Sequence, residues 1–128
     1  MIFLDRSLPR SVARALRMVR NDVIWLEDWP AFDENTPDIV WLERAGQEGW
    51  IVVTRDKRIR TRPHERSALL RYGVGCFVLA QNRNLTRWEY LKLLTATLDH
   101  METLFDTTPR PFIFAVYSDG SIRHVRLK

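Results

Sequence analysis

Short apolar runs alternate with helix-period segments along the chain, and that alternation is what most limits its fold. Ile2-Phe3-Leu4, Val23-Ile24-Trp25-Leu26, Trp50-Ile51-Val52-Val53-Thr54 and Cys76-Phe77-Val78-Leu79-Ala80 are short and rich in β-branched or aromatic residues, as strands are. Helical signals fall between them. Pro9 suits a first helical turn, and Val12, Leu16 and Val19 share one helical face. Thr36-Pro37-Asp38 reads as a helix start with Thr36 as cap. Ile39, Leu42 and Ala45 then give its inner stripe, and Gly46 and Gly49 its end. A short helix is expected near Pro63 to Tyr72. Thr86 and Glu89 form a capping box ahead of Trp88, Leu91, Leu94, Leu98, Met101 and Phe105. Pro111 to Tyr117 and Ile122 to Leu127 flank Ser118-Asp119-Gly120-Ser121, a hairpin signal. The order β-α-β-α-β-α-β-α-β-β predicts an α/β fold: a mostly parallel sheet, helices on both faces and a C-terminal β-hairpin.

With 128 residues the chain is long enough for one well-buried core, and a single domain over residues 1–128 is expected. Its one cysteine, Cys76, lies inside an apolar run and is expected to be an inert buried thiol. Without disulfide or zinc spacing, a reducing, cytoplasmic location is expected. Met1 to Asp5 is too short and acidic for a signal peptide. No apolar stretch approaches the roughly 20 residues of a membrane helix.

Three acids occupy the positions where such a fold binds ligands, outside the carboxyl ends of its strands. Asp5 ends the first apolar run, Asp56 follows the third, and Asp38 opens the second helix. An aspartate at a strand end is depleted by propensity and costly to bury alone. Asp38 also has a plain structural reason, the dipole of its helix. Converging carboxylates repel unless a cation sits among them. Hard oxygen ligands suit Mg²⁺ or Mn²⁺, and such an ion supports phosphodiester hydrolysis. Glu34 and Asp33 are nearby competitors for the site, Glu34 being the candidate additional ligand, though both read as solvated loop acids.

The net charge is +4, from 20 Lys and Arg against 16 Asp and Glu, and its distribution says more. From Arg55 to Arg66 six of twelve residues are basic. A solvated surface loop is the ordinary fate of such a run. Beside an acidic centre, Arg55, Lys57, Arg58, Arg60 and Arg62 would instead hold a phosphate backbone and offset the acids' repulsion of it. His64 in the same loop reads as an exposed histidine. Of the five tryptophans, Trp25, Trp41, Trp50 and Trp88 are expected in the core. Trp29 and Phe32, in a loop beside Pro30, are expected to pack as well.

Phe3-Leu4-Asp5-Arg6-Ser7-Leu8-Pro9, then Asp38, then Ile51-Val52-Val53-Thr54-Arg55-Asp56, resembles the compact PIN-like domains related to VapC toxins, in the branch with a V-T-R-D motif. The resemblance covers roughly the first 80 residues. It implies a three-layer α/β/α fold and Mg²⁺-dependent ribonuclease activity, commonly as the toxin of a type II toxin–antitoxin pair. Carried over, Asp5, Asp38 and Asp56 are the catalytic and metal-site acids. Ser7 matches the small polar residue two after the first acid. RNA is the implied substrate and an antitoxin the implied partner, with a homodimer also considered. Many PIN nucleases carry a fourth acid after the fourth strand. Here Gln81-Asn82-Arg83-Asn84 has none, which leaves Asn82 as a neutral ligand or water-positioning group and a second metal poorly held. The alternative is accordingly a PIN-like module that binds RNA or protein without cleaving. A phospho-receiver domain would want an acidic pair at the first strand. A haloacid-dehalogenase phosphatase would want an acid where Ser7 stands.

Overall fold

The computed structural model describes residues 1–127. The strands are β1 (Ile2–Leu4), β2 (Val23–Trp25), β3 (Ile51–Thr54), β4 (Gly75–Leu79), β5 (Phe112–Val116) and β6 (Ile122–Val125). They form one sheet in the order β2-β1-β3-β4-β5-β6. Every neighbouring pair is parallel except β5–β6, the antiparallel hairpin. Helices α1 (Arg10–Arg17), α2 (Asp38–Glu48), α3 (Pro63–Tyr72) and α4 (Arg87–Thr107) alternate with the strands. Single 3₁₀ turns follow β2 and β3.

The alternation of side chains along each strand splits the core in two. Ile2, Leu4, Val53 and Phe77 pack with Val12 and Leu16 of α1 and Leu94, Leu98 and Met101 of α4. Phe3, Val52, Cys76 and Val78 pack on the other face with Trp41 and Leu42 of α2 and Leu69 of α3. Trp29 and Phe32 belong to this second core, Trp29 standing edge-on to Trp50 at 4.8 Å. Cys76 is fully buried, and burial pushes its thiol far above the ordinary range. Among the described residues no helix is long and apolar enough to cross a membrane.

Several expected contacts fall elsewhere, for reasons of helical phase. In α2 the inner stripe is Trp41, Leu42 and Ala45, while Ile39 is 45% exposed. Asp38 is one turn before Trp41 and Leu42, so it lies on the same side of α2 as the buried stripe and is half-buried. Thr36 does not cap α2. Pro37 holds the cap position, and the Thr36 hydroxyl accepts the Asp33 amide instead at 2.8 Å. α1 ends at Arg17, which leaves Val19 beyond it and exposed. The inner stripe of α4 is Tyr90, Leu93, Leu94, Thr97, Leu98 and Met101. Trp88 faces away from it and is 64% exposed. The Thr86–Glu89 capping box is formed.

Two glycines fix α2. Gly49 ends it in the left-handed region, at φ 69°, where residues with a Cβ are strained. Gly46, expected to help end the helix, lies inside it, where α3 crosses closely. A Cβ at this position would stand 2.3 Å from the Tyr72 carbonyl oxygen. Helix propensity alone would make Gly46→Ala stabilising by about 1 kcal/mol. Because the obstacle is backbone, we expect a net loss of about 1–3 kcal/mol, read as a lower urea midpoint.

Candidate functional site

The chain leaves β1 for β2 on one side, then returns to β3 on the other. The crevice between β1 and β3 is therefore the switch point of the sheet, where open α/β folds place ligands. Asp5 follows β1 and Asp56 follows β3 by two residues. Register sets Leu4 beside Val53, which brings Asp5 next to Thr54.

Asp5 is 5% exposed and is held by three donors. The Thr54 hydroxyl donates to Oδ2 at 2.6 Å, the Ser7 amide donates to Oδ1 at 3.1 Å, and the Ser7 hydroxyl donates to Oδ1 as well. The Ser7 hydroxyl also accepts the Arg55 amide at 2.9 Å, and the Thr54 hydroxyl accepts the Asp56 amide at 3.0 Å. The two hydroxyls thus lace β1 to β3 around the carboxylate. Even so, burial pushes the Asp5 carboxyl up to about 6, against the hydrogen bonds that lower it and with a smaller push from the charge of Asp38.

Asp38 accepts the Trp41 indole N–H on Oδ1 at 2.9 Å. Arg6 donates to the Thr36 carbonyl at 2.7 Å and so ties the segment after β1 to the residues that launch α2. Asp56 accepts the Arg58 amide on Oδ1 at 3.1 Å, capping the 3₁₀ turn Lys57–Arg60. Arg62, at the cap of α3, reaches across the group. Its Nη1 lies 2.7 Å from Asp56 Oδ2, 3.7 Å from Glu65 Oε1 and 3.9 Å from Asp38 Oδ2. Among the described residues no three acids, histidines or cysteines stand at metal-binding spacing.

The structure places Asp5, Ser7, Asp38 and Asp56 at one edge, with the three acids short of metal-binding spacing, and leaves Glu34 out. Glu34 is exposed in the turn before α2, outside the hydrogen bonds and ion pairs described above. Asn82, past β4, accepts a weak bond from the Lys57 ammonium at 3.4 Å and stands across the cleft. Of the basic residues expected on RNA, Lys57, Arg58 and Arg60 are exposed and Arg55 is half-buried near the Tyr90 ring. Arg62 differs, since its guanidinium is turned onto the acids. Ile59 is fully buried and anchors the basic turn. An open cleft of about 580 Å³ runs from Ser7 and Asp56 past Arg55, Lys57 and Arg58 to Asn82. Sequence reasoning passed over Glu65 and the role of Thr54. Glu65 was legible as an acid in a helix first turn. Thr54 was legible only as part of the strand that brings Asp56.

A mostly parallel open sheet with acids at its switch point and a basic rim defines an α/β protein with a carboxylate group beside exposed cations. A family model described as a PIN like domain matches residues 1–81, and the chain belongs to the PIN-like domain family, a fold of nuclease type. The match ends just after β4, so α4, β5 and β6 lie outside it. Neither curated proteins nor solved structures gave a match.

The raised Asp5 carboxyl has a consequence for stability. The charged form is the disfavoured one in the folded chain, so the stability this group gives is complete below pH 3.8 and lost as pH rises through 6. Asp5→Asn is expected to be more stable than the wild type at pH 8 by up to about 3 kcal/mol, with no such advantage at pH 4. Urea unfolding in chelator at the two pH values measures this.

Proposed function

We propose that this protein is a metal-dependent ribonuclease that hydrolyses RNA phosphodiester bonds, acting as the toxin of a type II toxin–antitoxin pair. The observation that carries the reading is the buried Asp5 carboxylate. Among the described residues it has hydrogen-bond donors but no cation of its own, and the charge of Asp38 acts on it. The donor chemistry suits Mg²⁺ or Mn²⁺, with Asp5, Asp38 and Asp56 as the residues that would hold it. Such an ion supplies Lewis-acid polarisation of a phosphoryl oxygen.

The remaining chemistry belongs to the chain. Lys57, Arg58 and Arg60 attract and hold the backbone phosphates, and Arg55 lines the same cleft. Asn82, opposite Asp56, orients a polar group of the substrate. Ser7 and Thr54 keep Asp5 from turning away. Arg62 competes for the acids and has to withdraw from Asp38 and Asp56 before a cation can take its place. An antitoxin protein is the proposed partner and the cytoplasm the proposed location. A homodimer is the proposed assembly.

A second reading is a module that binds RNA or protein without cleaving. It draws support from Arg62 lying across the acids and from the missing acid in Gln81-Asn82-Arg83-Asn84. Purified protein incubated with mixed RNA in Mg²⁺, Mn²⁺ or chelator separates the two. The nuclease reading expects degradation with metal and none with chelator. Asp5→Asn should lower the rate about 100-fold or more while circular dichroism stays unchanged. Full activity in that variant sinks the assignment.

Arg62 offers a separate check. In chelator, Arg62→Gln leaves Asp38, Asp56 and Glu65 without their shared cation and should lose about 1 kcal/mol of stability. Added Mn²⁺ should recover more stability in the variant than in the wild type, as measured by the thermal midpoint. An unchanged midpoint on adding Mn²⁺ to either protein argues against the metal site.

A further inference from the structure

A second hollow opens beside the acidic cleft, on the sheet face that carries α2 and α3, and neither helix lines it. Its volume is about 300 Å³. Val78 of β4 and Ala115 of β5 are register partners and form its floor with Ala80. Alanine at two of these positions keeps the floor low. Tyr117, just past β5, and Val125 of β6 are its walls, and Lys57, Arg60 and Asn82 its rim. The Arg123 guanidinium lies 5.8 Å from the centre of the Tyr117 ring and steadies it. Lys57 and Asn82 line both this hollow and the 580 Å³ cleft of the acids. The two spaces therefore adjoin at the Lys57–Asn82 contact.

We infer that this hollow is a base-binding subsite, which takes one unstacked nucleobase of a single-stranded RNA whose phosphate lies in the acidic cleft. The inference rests on the ribonuclease reading and extends it to how substrate is chosen. The volume is at the small end of ligand pockets, too small for an element of a protein partner. An apolar floor with one aromatic wall suits a flat ring, and stacking on aromatic side chains is how proteins hold unpaired bases. The Asn82 amide carries both donors and an acceptor, as a base edge requires. Lys57 and Arg60 on the rim, with Arg123 beside the Tyr117 ring, bring positive charge that suits the adjoining phosphates. Ala115 of β5, Tyr117 just after it and Val125 of β6 lie outside the residues that match the family. Discrimination among substrates is thereby assigned to the C-terminal part of the chain.

The test is fluorescence anisotropy in chelator with a labelled single-stranded RNA hexamer and the same hexamer made abasic at each position in turn. Tyr117→Ala should bind the intact hexamer about 10-fold more weakly. It should bind one of the abasic hexamers as well as the wild type does. Tyr117→Phe should keep full affinity. If Tyr117→Ala fails to fold, the wild type alone decides. Its Val78 and Ala115 methyl resonances should shift on adding nucleoside 5′-monophosphates, and unmoved methyls overturn the subsite. Equal losses on intact and every abasic RNA, or no loss on any, overturn the subsite and leave the nuclease reading standing. A wild type that binds no RNA overturns both. Base-dependent binding without metal-dependent cleavage keeps the subsite and removes the nuclease.

Discussion

Bringing carboxylates together at the end of a parallel sheet works against their mutual repulsion, and the arrangement around Asp5 is the chain's answer to it. β1 and β3 are neighbours whose ends carry acids. The Ser7 and Thr54 hydroxyls stand between those ends and bond to Asp5 and to the backbone on the far side. These bonds orient the carboxylate without neutralising it. Burial therefore prevails over hydrogen bonding, and the carboxyl titrates near 6. Arg58 reaches Asp56 alone, at 3.8 Å, whereas Arg62 reaches Asp56, Glu65 and Asp38 and lies nearest Asp56. The anionic excess stays concentrated on the Asp5 side of the crevice.

The architecture was legible because two periods carry it. Four apolar runs, each bounded by polar or turn residues, specify parallel strands, and Asp119-Gly120 specifies the closing hairpin. The errors came from phase within helices. In α2 a stripe starting at Ile39 and one starting at Asp38 differ by a single residue, and hydrophobicity favours Ile39. Packing selects the stripe of Trp41, Leu42 and Ala45, because the indole fills the space over Phe3, with ring centres 5.3 Å apart. The same choice turns Asp38 inward. At Trp88 the apolar pattern ran one face too far, since Tyr90 and Leu93 already cover the sheet.

The site was legible in part. Strand-end position identified Asp5 and Asp56, and helix-start chemistry identified Asp38. Side-chain direction was not readable. Arg62 is one of six basic residues in twelve, and nothing local separates it from Arg58 or Arg60. Only its place at the cap of α3 turns its guanidinium onto the acids. Glu65 is tied to that same arginine. Its distance from the third strand hid it from an argument based on strand ends.

The contact between Gly46 and Tyr72 reaches beyond helix packing. α2 carries Asp38, while α3 carries Glu65 and begins just after Arg62. With Gly46 set against the Tyr72 backbone, the two helices pack closely, and that contact holds those groups at their spacing. The freedom left in the group is rotation about the arginine's own side-chain bonds. The acids thus sit on a close-packed frame, while the guanidinium that bridges them hangs on rotatable bonds.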